Sequence, residues 1–424
     1  MIIDFKEVLV VWPGSELDQQ HFSGRLNTET GALSEMDSSE KADHTFAGSE
    51  FTLTPGLCEL DAQFREPGTE NSESIRSGLE CALAGGFHHV LMGPETEPCI
   101  DNKPLVKFAL AEGHDHAVQL LVKGAVTNGL KKEGLAELFD MFQSGASAFG
   151  QNTRDNISTN TLLKALQYSK SFGTKVFISA TSLNLHKNGM VHEGKASLYT
   201  GLKSIPTLGE SINIDTIEHL VSYTQAPVHI SGLSSALGVQ KVAALKAKFP
   251  DLITCDVAIW NMIFSEDKVL DFDTDYKFFP PLRSAEDRQA LIEGINDGTI
   301  DCITSSHHPW EVEYKKVEFD QSEFGSIALQ SLFSLYQQHL KGDISMSQFV
   351  TACSIKPREI LNLDTPLFSG KGESDFVLWN NQQSWVLNEE TNYSRSQNTP
   401  LWNQEHPGRC VFSFNKGKFG VFAE

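Results

Sequence analysis

The sequence has few cationic residues, no closely spaced cysteines and no long apolar run, and each shortage excludes a class of protein. Its 34 Lys and Arg are outnumbered by 55 Asp and Glu, which gives a formal net charge of -21 at pH 7. This charge repels phosphate backbones and anionic lipid surfaces, so we expect no nucleic acid and no membrane among its partners. No apolar run is long enough to cross a bilayer and the N-terminus lacks a signal-peptide layout, so we expect a cytoplasmic protein.

The seven cysteines lie far apart in the sequence and never in a C-x-x-C spacing. A disulfide framework or a zinc site built from cysteines is therefore not expected, and the thiols are predicted to be buried and reduced. At 424 residues with 40% hydrophobic side chains, core size is not limiting. This length suits a barrel of alternating strands and helices with a small appended domain.

Short apolar runs rich in strand-forming residues recur along the chain, with helix-sized segments between them. The runs are 51–60, 87–92, 119–126, 146–149, 175–179, 227–231, 252–259 and 300–305. Eight parallel strands joined by crossover helices predict a closed (β/α)8 TIM barrel over residues 51–365. Residues 1–50 and 366–424 fit neither pattern and are predicted to be strand-like and polar.

Several motifs resemble those of one enzyme family. Residues 55–68 read PGLCELDAQFREPG, residues 84–87 read AGGF and residues 280–284 read PPLRS. Together with GTIDCI at 298–303, SSHHPW at 305–310 and NTP at 398–400, they stand in the order found in the dihydroorotase family of metal-dependent amidohydrolases. The resemblance spans most of the chain and implies a TIM barrel with a small β-sandwich formed by both chain ends, 1–50 and 366–424.

The resemblance also implies a zinc site at the carboxyl ends of the strands, but this chain differs at its ligands. The two histidines of the first motif are replaced by Asp61 and Gln63. The other substituted positions are Gln151, Asn152, Ser179, Gly232 and Ser306. Since these residues offer one carboxylate and no imidazole, we expect no metal and no other cofactor, although members of the family bind zinc.

Substrate-binding positions of the family are altered as well. Arg65 matches the arginine that binds the substrate carboxylate, whereas Glu95 and Phe279 replace asparagines and Trp310 replaces a histidine. We expect Glu95 to pair with Arg65. Trp260, Phe64, Phe279 and Trp310 are predicted to fill the former metal cavity with apolar bulk.

Other residues invite a catalytic or metal-binding role, and each has a simpler interpretation. Ser306 replaces the catalytic aspartate of the family, and its neighbour His307 is interpreted as a structural or solvent-facing histidine. The H-x-H spacing of His114 and His116 precedes strand three and so lies at the wrong end of the barrel. Residues 231–235 are interpreted as a turn and not as a nucleophile elbow.

These substitutions favour a non-catalytic protein that acts as a structural or regulatory partner in pyrimidine biosynthesis. Such a protein would form a homodimer or a hetero-complex, for which the resemblance suggests aspartate carbamoyltransferase as the partner. One alternative is an active dihydroorotase with a rewired site that holds a hard cation through Asp61, Asp155 and Asp256, with Gln63 as a further donor. The other is a sensor that binds an anion through Arg65 without turnover.

Overall fold

Eight parallel strands form a barrel that makes up the larger part of the molecule. The computed structural model describes residues 1–35, 41–151, 157–181, 185, 188–365, 368–373 and 375–422. Barrel strands one to eight are, in chain order, Leu57–Ala62, Phe87–Met92, Gln119–Ala125, Ala146–Gly150, Val176–Ser179, Val228–Ser231, Ile253–Ala258 and Cys302–Thr304. A parallel bridge between Ala62 and His307 joins the first strand to the segment after the eighth. The predicted (β/α)8 barrel is thereby confirmed.

Helices follow the strands and pack around the barrel. They are Ile75–Ala84, Lys103–Glu112, Leu138–Gln143, Thr159–Lys170, Lys195–Thr200, Thr207–Thr224, Ala236–Lys248, Ile259–Ile263, Ala285–Asn296, Leu332–Leu335, Met346–Val350 and Lys356–Ile360. The last two are joined by a π turn over Thr351–Ile355, and another π turn, Tyr336–Leu340, extends Leu332–Leu335. Several helices begin after a serine. The hydroxyl oxygens of Ser74, Ser235 and Ser284 each accept the backbone N–H three residues further on, a donor that has no partner within the helix.

Both chain ends join in a separate nine-stranded sheet beside the barrel. Its strands are Ile2–Val10, His21–Asn27, Ala32–Ser34, His44–Ala47, Phe51–Thr54, Gly372–Glu373, Phe376–Val386, Glu405–Asn415 and Lys418–Val421. Its core is rich in aromatic rings, and Phe376 has Phe5, Phe368 and Phe412 within 6.4 Å between ring centroids. The expected small β-sandwich from both chain ends is therefore present.

The predicted single strand 51–60 is wrong, because the structure divides it. Phe51–Thr54 pairs with Ile2–Val10 and Phe376–Val386 in the sandwich, whereas Leu57–Ala62 opens the barrel. Pro55 and Gly56 separate the two strands, since proline cannot donate a ladder hydrogen bond. The sandwich thus extends past residue 50.

A small two-stranded sheet, Val191–His192 with Ser204–Ile205, follows barrel strand five and has no counterpart in the predicted elements. Three-residue and four-residue 3-10 turns occur at Asn128–Leu130, Glu266–Val269, Thr274–Tyr276, Val312–Tyr314 and Leu329–Ser331. Within the described ranges, no helix combines the length and the apolar character that a membrane span requires.

Candidate active site

Three polar side chains meet where barrel strands one and eight end. The Ser306 hydroxyl donates to Asp61 Oδ2 at 3.0 Å, and His308 Nε2 lies 3.4 Å from the same oxygen. The Asp61 and His308 side chains keep 16% and 13% of their surface exposed, so both reach solvent. Ser306 has a φ of 48°, a left-handed conformation that is uncommon outside glycine and asparagine and turns the chain so that His308 faces Asp61. These residues are called the Asp61 cluster below.

The Asp61 carboxylate is held in its charged form. Burial alone would raise its pKa, but His308, Lys123 and the Ser306 hydroxyl together lower the pKa of Asp61 below its ordinary value. Lys123 comes from barrel strand three, where its ammonium donates to the Leu60 carbonyl at 3.2 Å and lies 4.6 Å from the Phe177 ring centroid. The mouth of the barrel therefore combines a carboxylate, an imidazole, a hydroxyl and a buried cation.

Glu59 lies one layer below the Asp61 cluster and ties barrel strand one to the end of strand eight. Its Oε1 accepts the N–H groups of Leu60 and Asp61 at 3.1 and 2.8 Å, and its Oε2 accepts that of Ser305 at 2.9 Å. Burial raises the pKa of Glu59 to about 8, against the opposing effect of these hydrogen bonds from Ser305 and Asp61. Glu59 is thus a positioning residue for the backbone that carries Asp61.

The raised pKa of Glu59 predicts a specific pH dependence of folding stability. An unfolded glutamate titrates near 4.5, so between that pH and about 8 the folded state holds a proton that the unfolded state has released. Stability contributed by this group is therefore lost as the pH rises through that window. We expect Glu59→Gln to flatten the fall of the urea midpoint between pH 6.5 and 8, whereas Glu112→Gln on an exposed helix end should keep the wild-type slope. An unchanged slope in Glu59→Gln would contradict the assignment.

Buried polar atoms without a hydrogen-bond partner among the described residues surround the mouth. They are Gln63 Oε1, Thr181 Oγ1, Ser231 Oγ, Ser305 Oγ, Trp260 Nε1 and Asn261 Oδ1. All six residues follow or end a barrel strand. In the order given, the first four lie at the ends of strands one, five, six and eight, and Trp260 and Asn261 follow strand seven. Since a buried unpaired polar atom costs about 1–3 kcal/mol, such a ring of them is expected where water or a polar ligand completes the hydrogen bonds.

A narrow cleft opens beside the Asp61 cluster. Trp260, Asn261, Phe279 and Phe324 line it together with Glu95 and His308. The space measures about 380 Å³ when its opening to solvent is included, but only about 10 Å³ of it accommodates water, which is room for a single molecule. The enclosed space is therefore too small for a ligand much larger than water.

The predicted metal positions that the structure describes lie at the strand ends around the mouth, and most of their side chains are used for other contacts. Gln151 hydrogen bonds to Thr127 Oγ1 at 2.9 Å, and the Ser179 hydroxyl donates to the Thr181 carbonyl. Gly232 has no side chain, and Ser306 donates to Asp61. No group of three or more His, Cys, Asp or Glu suited to a metal occurs among the residues that the structure describes. The zinc shell implied by the family does not fit these residues; Asn152 and Asp155 lie outside the described residues.

Arg65 contacts the loop after barrel strand eight. Its Nε donates to the Pro309 carbonyl at 3.1 Å, and its guanidinium carbon lies 3.9 Å from the Trp310 ring centroid. The Trp310 indole N–H donates to the Phe324 carbonyl at 2.9 Å. Glu95 lines the cleft, and its expected ion pair with Arg65 stays a prediction.

Of the aromatic residues expected to fill the cavity, Trp260 and Phe279 line the cleft. Trp260 is 1% exposed and stacks on Phe278 with 5.0 Å between centroids. Phe279 packs edge-on against Phe324 at 5.9 Å, and Phe64 is fully buried with its edge toward His307. Aromatic bulk therefore accounts for the small volume of the cleft.

His307 and His308 have different surroundings although they are neighbours. His307 is fully buried, its Nδ1 accepts from the Ala328 N–H, and its Nε2 lies 3.5 Å from Glu73 Oε2. Burial lowers the pKa of His307, with Glu73 opposing the shift. His307 thus links the mouth to the helix that begins after Ser74, while His308 faces the cleft.

Two further candidates lie away from the Asp61 cluster. Asp256, considered above as a cation ligand, accepts from Gly232 N at 2.7 Å and lies 2.8 Å from His229 Nε2 inside the barrel wall. His116 lies 3.2 Å from Glu80 at the opposite end of the barrel. Both oxygens of the Asp256 carboxylate are therefore already engaged.

Lys123, Glu59 and His308 were missed as functional residues by the sequence interpretation. Lys123 and Glu59 stand within short apolar strands, where a charged residue is unusual and so marks an inward-facing polar group. The sequence gives no comparable signal for His308, because only the turn at Ser306 directs its side chain toward Asp61.

Comparison with known proteins places this barrel in a class, the amidohydrolases. A family model described as dihydro-orotase-like matches residues 51–236. The L-hydantoinase (dihydropyrimidinase) of Arthrobacter aurescens has the same fold, with a TM-score of 0.82 at 17% identity over 100% of this chain and 97% of its own. Dihydropyrimidinase from Brevibacillus agri NCHU1002 gives a TM-score of 0.78 at 17% identity over 99% and 95%.

Relatives of higher sequence identity identify the family within this class. The dihydroorotase of Pelobacter propionicus is 33% identical over 368 residues, 86% of this chain and 87% of its own length. That of Desulforapulum autotrophicum is 32% identical over 99% and 98% of the two chains. The dihydroorotase of Aquifex aeolicus is 32% identical over 86% of each. The chain belongs to the dihydroorotase family.

These relatives overturn the interpretation of the chain as a non-catalytic partner protein. That interpretation counted the family residues that were lost at Asp61, Gln63, Ser179, Gly232 and Ser306, and it ignored the groups that stand nearby in space. Proteins named for an enzyme match nearly the whole chain, and they favour the alternative of an active cyclic amidohydrolase. A homodimer, or a complex with aspartate carbamoyltransferase, stays a prediction.

Proposed function

We propose that this protein is a dihydroorotase that interconverts N-carbamoyl-L-aspartate and dihydroorotate at the mouth of the barrel. The observation that carries the proposal is the unpaired donor and acceptor, Trp260 Nε1 and Asn261 Oδ1, that line the cleft beside Asp61 and His308. The family relationship supplies the reaction class, and the Asp61 cluster supplies groups that can transfer a proton.

The two unpaired atoms match the edge of a cyclic amide. Such a ring presents a carbonyl oxygen and an N–H, so the Trp260 indole can donate to the first while the Asn261 carbonyl accepts from the second. The Asn261 amide nitrogen is already held by the Pro280 and Pro281 carbonyls at 3.4 and 3.0 Å, which fixes the direction of its oxygen. Binding would therefore satisfy two buried groups at once.

His308 is the described group best placed to move the proton. In ring opening its imidazole takes a proton from a water molecule as the water oxygen bonds to the ring carbonyl carbon. The carbon–nitrogen bond then breaks, and His308 returns the proton to the leaving nitrogen. Ring closure follows the same steps in reverse.

Asp61 acts on the reaction through His308. Its charged carboxylate near Nε2 orients the imidazole, leaves Nδ1 as the acceptor and stabilises the imidazolium that forms. Ser306 fixes the carboxylate by donating to the same oxygen. Asp61 and Ser306 are therefore positioning residues, whereas His308 contacts the reacting atoms.

Substrate entry requires the cleft to widen, because only about 10 Å³ now accommodates water. Phe279 and Phe324 line the cleft and pack edge-on against each other, so rotation of these rings is the simplest opening. Arg65 lies over the ring of Trp310, which belongs to the loop that also carries His308, and can attract the substrate carboxylate.

The test is an assay of dihydroorotate opening and carbamoyl-aspartate closing, with hydantoin and dihydrouracil as comparison substrates. We expect turnover of dihydroorotate and a KM that rises roughly 2- to 10-fold in Trp260→Phe, which keeps the ring and removes one hydrogen-bond donor. Trp402 does not line the cleft, so Trp402→Phe is the matched control and should leave KM unchanged. Binding of dihydroorotate without any turnover would favour the anion-sensor alternative and reject the proposal.

A further inference from the structure

A second and larger cavity lies at the other end of the barrel, where the strands begin. It has a volume of about 400 Å³ and is bounded by the starts of barrel strands two and three, the end of the helix Lys356–Ile360 and the sandwich hairpin around Lys416. None of its lining residues belongs to the Asp61 cluster or its cleft. Its volume falls in the range of small-molecule sites.

A buried arginine faces this cavity with part of its hydrogen-bonding capacity unused. Arg358 is 1% exposed, and its Nη1 donates to the Ser354 carbonyl at 3.0 Å and to the Ser354 hydroxyl. Its Nε has no hydrogen-bond partner among the described residues. An unpaired buried guanidinium N–H is costly, so the cavity is expected to provide its acceptor.

Two more donors converge on the same space. Lys416 extends over the cavity from the sandwich, and its ammonium donates to Gln119 Oε1 at 3.1 Å, which leaves further N–H groups for a ligand. His89 lines the cavity, and its Nδ1 is also without a partner within the described part of the chain. Burial, with Arg358 and Lys416 adding to it, lowers the pKa of His89 to about 3, so this imidazole is neutral and the cations are Arg358 and Lys416.

The acidic residues at the cavity limit the charge of a ligand. Asp375 lines it and accepts the backbone N–H of Lys416 at 2.7 Å, and Asp364 is exposed at its rim. Two carboxylates against two cations leave no excess positive charge for a polyanion. A ligand with a single anionic group, placed between Arg358 and Lys416 and away from Asp364, is the chemistry that fits.

We propose that this cavity is a binding site for a small anion with one carboxylate or phosphate group, which Arg358, Lys416 and His89 hold by hydrogen bonds. The site is independent of the proposed reaction, because it lies at the opposite end of the barrel. Its ligand joins the barrel to the sandwich, since Arg358 belongs to the first and Lys416 to the second.

Equilibrium dialysis of the full chain against labelled acetate and, separately, labelled inorganic phosphate tests the site, at constant ionic strength set with sodium chloride. We expect saturable binding of one of the two anions, and the comparison identifies which group the site prefers. Lys416→Gln should weaken binding about tenfold, the effect expected for losing a charge-assisted hydrogen bond. Asp364→Asn should strengthen it several-fold by removing a nearby negative charge.

Lys418→Gln is the matched control, because it removes the same charge from the same hairpin but its ammonium pairs with Asp115 and does not line the cavity. It should bind the anion as the wild type does. Absence of saturable binding of both anions would overturn the proposal, as would equal weakening in Lys416→Gln and Lys418→Gln, which would show general charge attraction only. The dialysis reads binding directly, so its result does not depend on dihydroorotase activity.

Discussion

Asp61→Asn and His308→Gln are each expected to lower kcat for dihydroorotate by about 10²-fold or more, the usual effect of losing general acid–base catalysis. Asparagine keeps the shape of the aspartate side chain, but it cannot stabilise an imidazolium 3.4 Å away. Glutamine at 308 removes the group that accepts the proton. The measurement is steady-state kinetics in both directions, with circular dichroism to show that each variant is folded.

A double variant tests whether Asp61 and His308 act together or independently. If Asp61 acts only through His308, Asp61→Asn combined with His308→Gln should be no slower than His308→Gln alone. His114→Gln, an exposed histidine at the other end of the barrel, should retain full activity. Activity within about twofold of the wild type in His308→Gln would remove this residue from the mechanism.

The barrel was predictable because its physical causes are local. Buried parallel strands read as continuous apolar runs, and their regular alternation with helix-sized segments leaves few other arrangements. The division at Pro55 and Gly56 was missed because both strands are apolar, and only the pairing partners assign Phe51–Thr54 to the sandwich. Pairing across the chain ends cannot be read from a local pattern.

The site was predictable in position but not in composition. Motif comparison located the mouth and the changes at Asp61 and Ser306, because those residues align with family positions. It did not show that Lys123, from barrel strand three, and His308, from the loop after strand eight, converge on the Asp61 carboxylate. That convergence depends on side-chain direction, and in particular on the positive φ of Ser306. A comparison of one aligned position at a time therefore detects the family side chains that are lost, but it misses side chains from elsewhere in the chain that take their place.

The loops around the mouth are themselves held by a buried ion pair, and its loss should have the largest effect on stability. Glu210 is fully buried near the start of the helix Thr207–Thr224 and accepts the hydroxyls of Ser234 and Ser235 at 2.5 and 3.0 Å. Its Oε2 lies 4.0 Å from Arg283 Nη2. Arg283 in turn donates to the Ile205 carbonyl at 2.6 Å, so one network joins three loops after barrel strands five, six and seven.

Glu210→Ala is expected to lower the free energy of unfolding by about 3–5 kcal/mol, because it leaves the Arg283 charge buried without its counter-ion. Urea denaturation followed by tryptophan fluorescence measures the change. Glu218→Ala on the same helix is the matched control: its partner Lys248 is 59% exposed, so that ion pair should contribute about 1 kcal/mol or less.

Adding Arg283→Met to Glu210→Ala removes the buried unpaired charge, so the double variant should be more stable than Glu210→Ala alone. If Glu210→Ala costs no more than Glu218→Ala, the network does not hold these loops. The positions of Asn261 and the Asp61 cluster would then depend on the barrel strands alone.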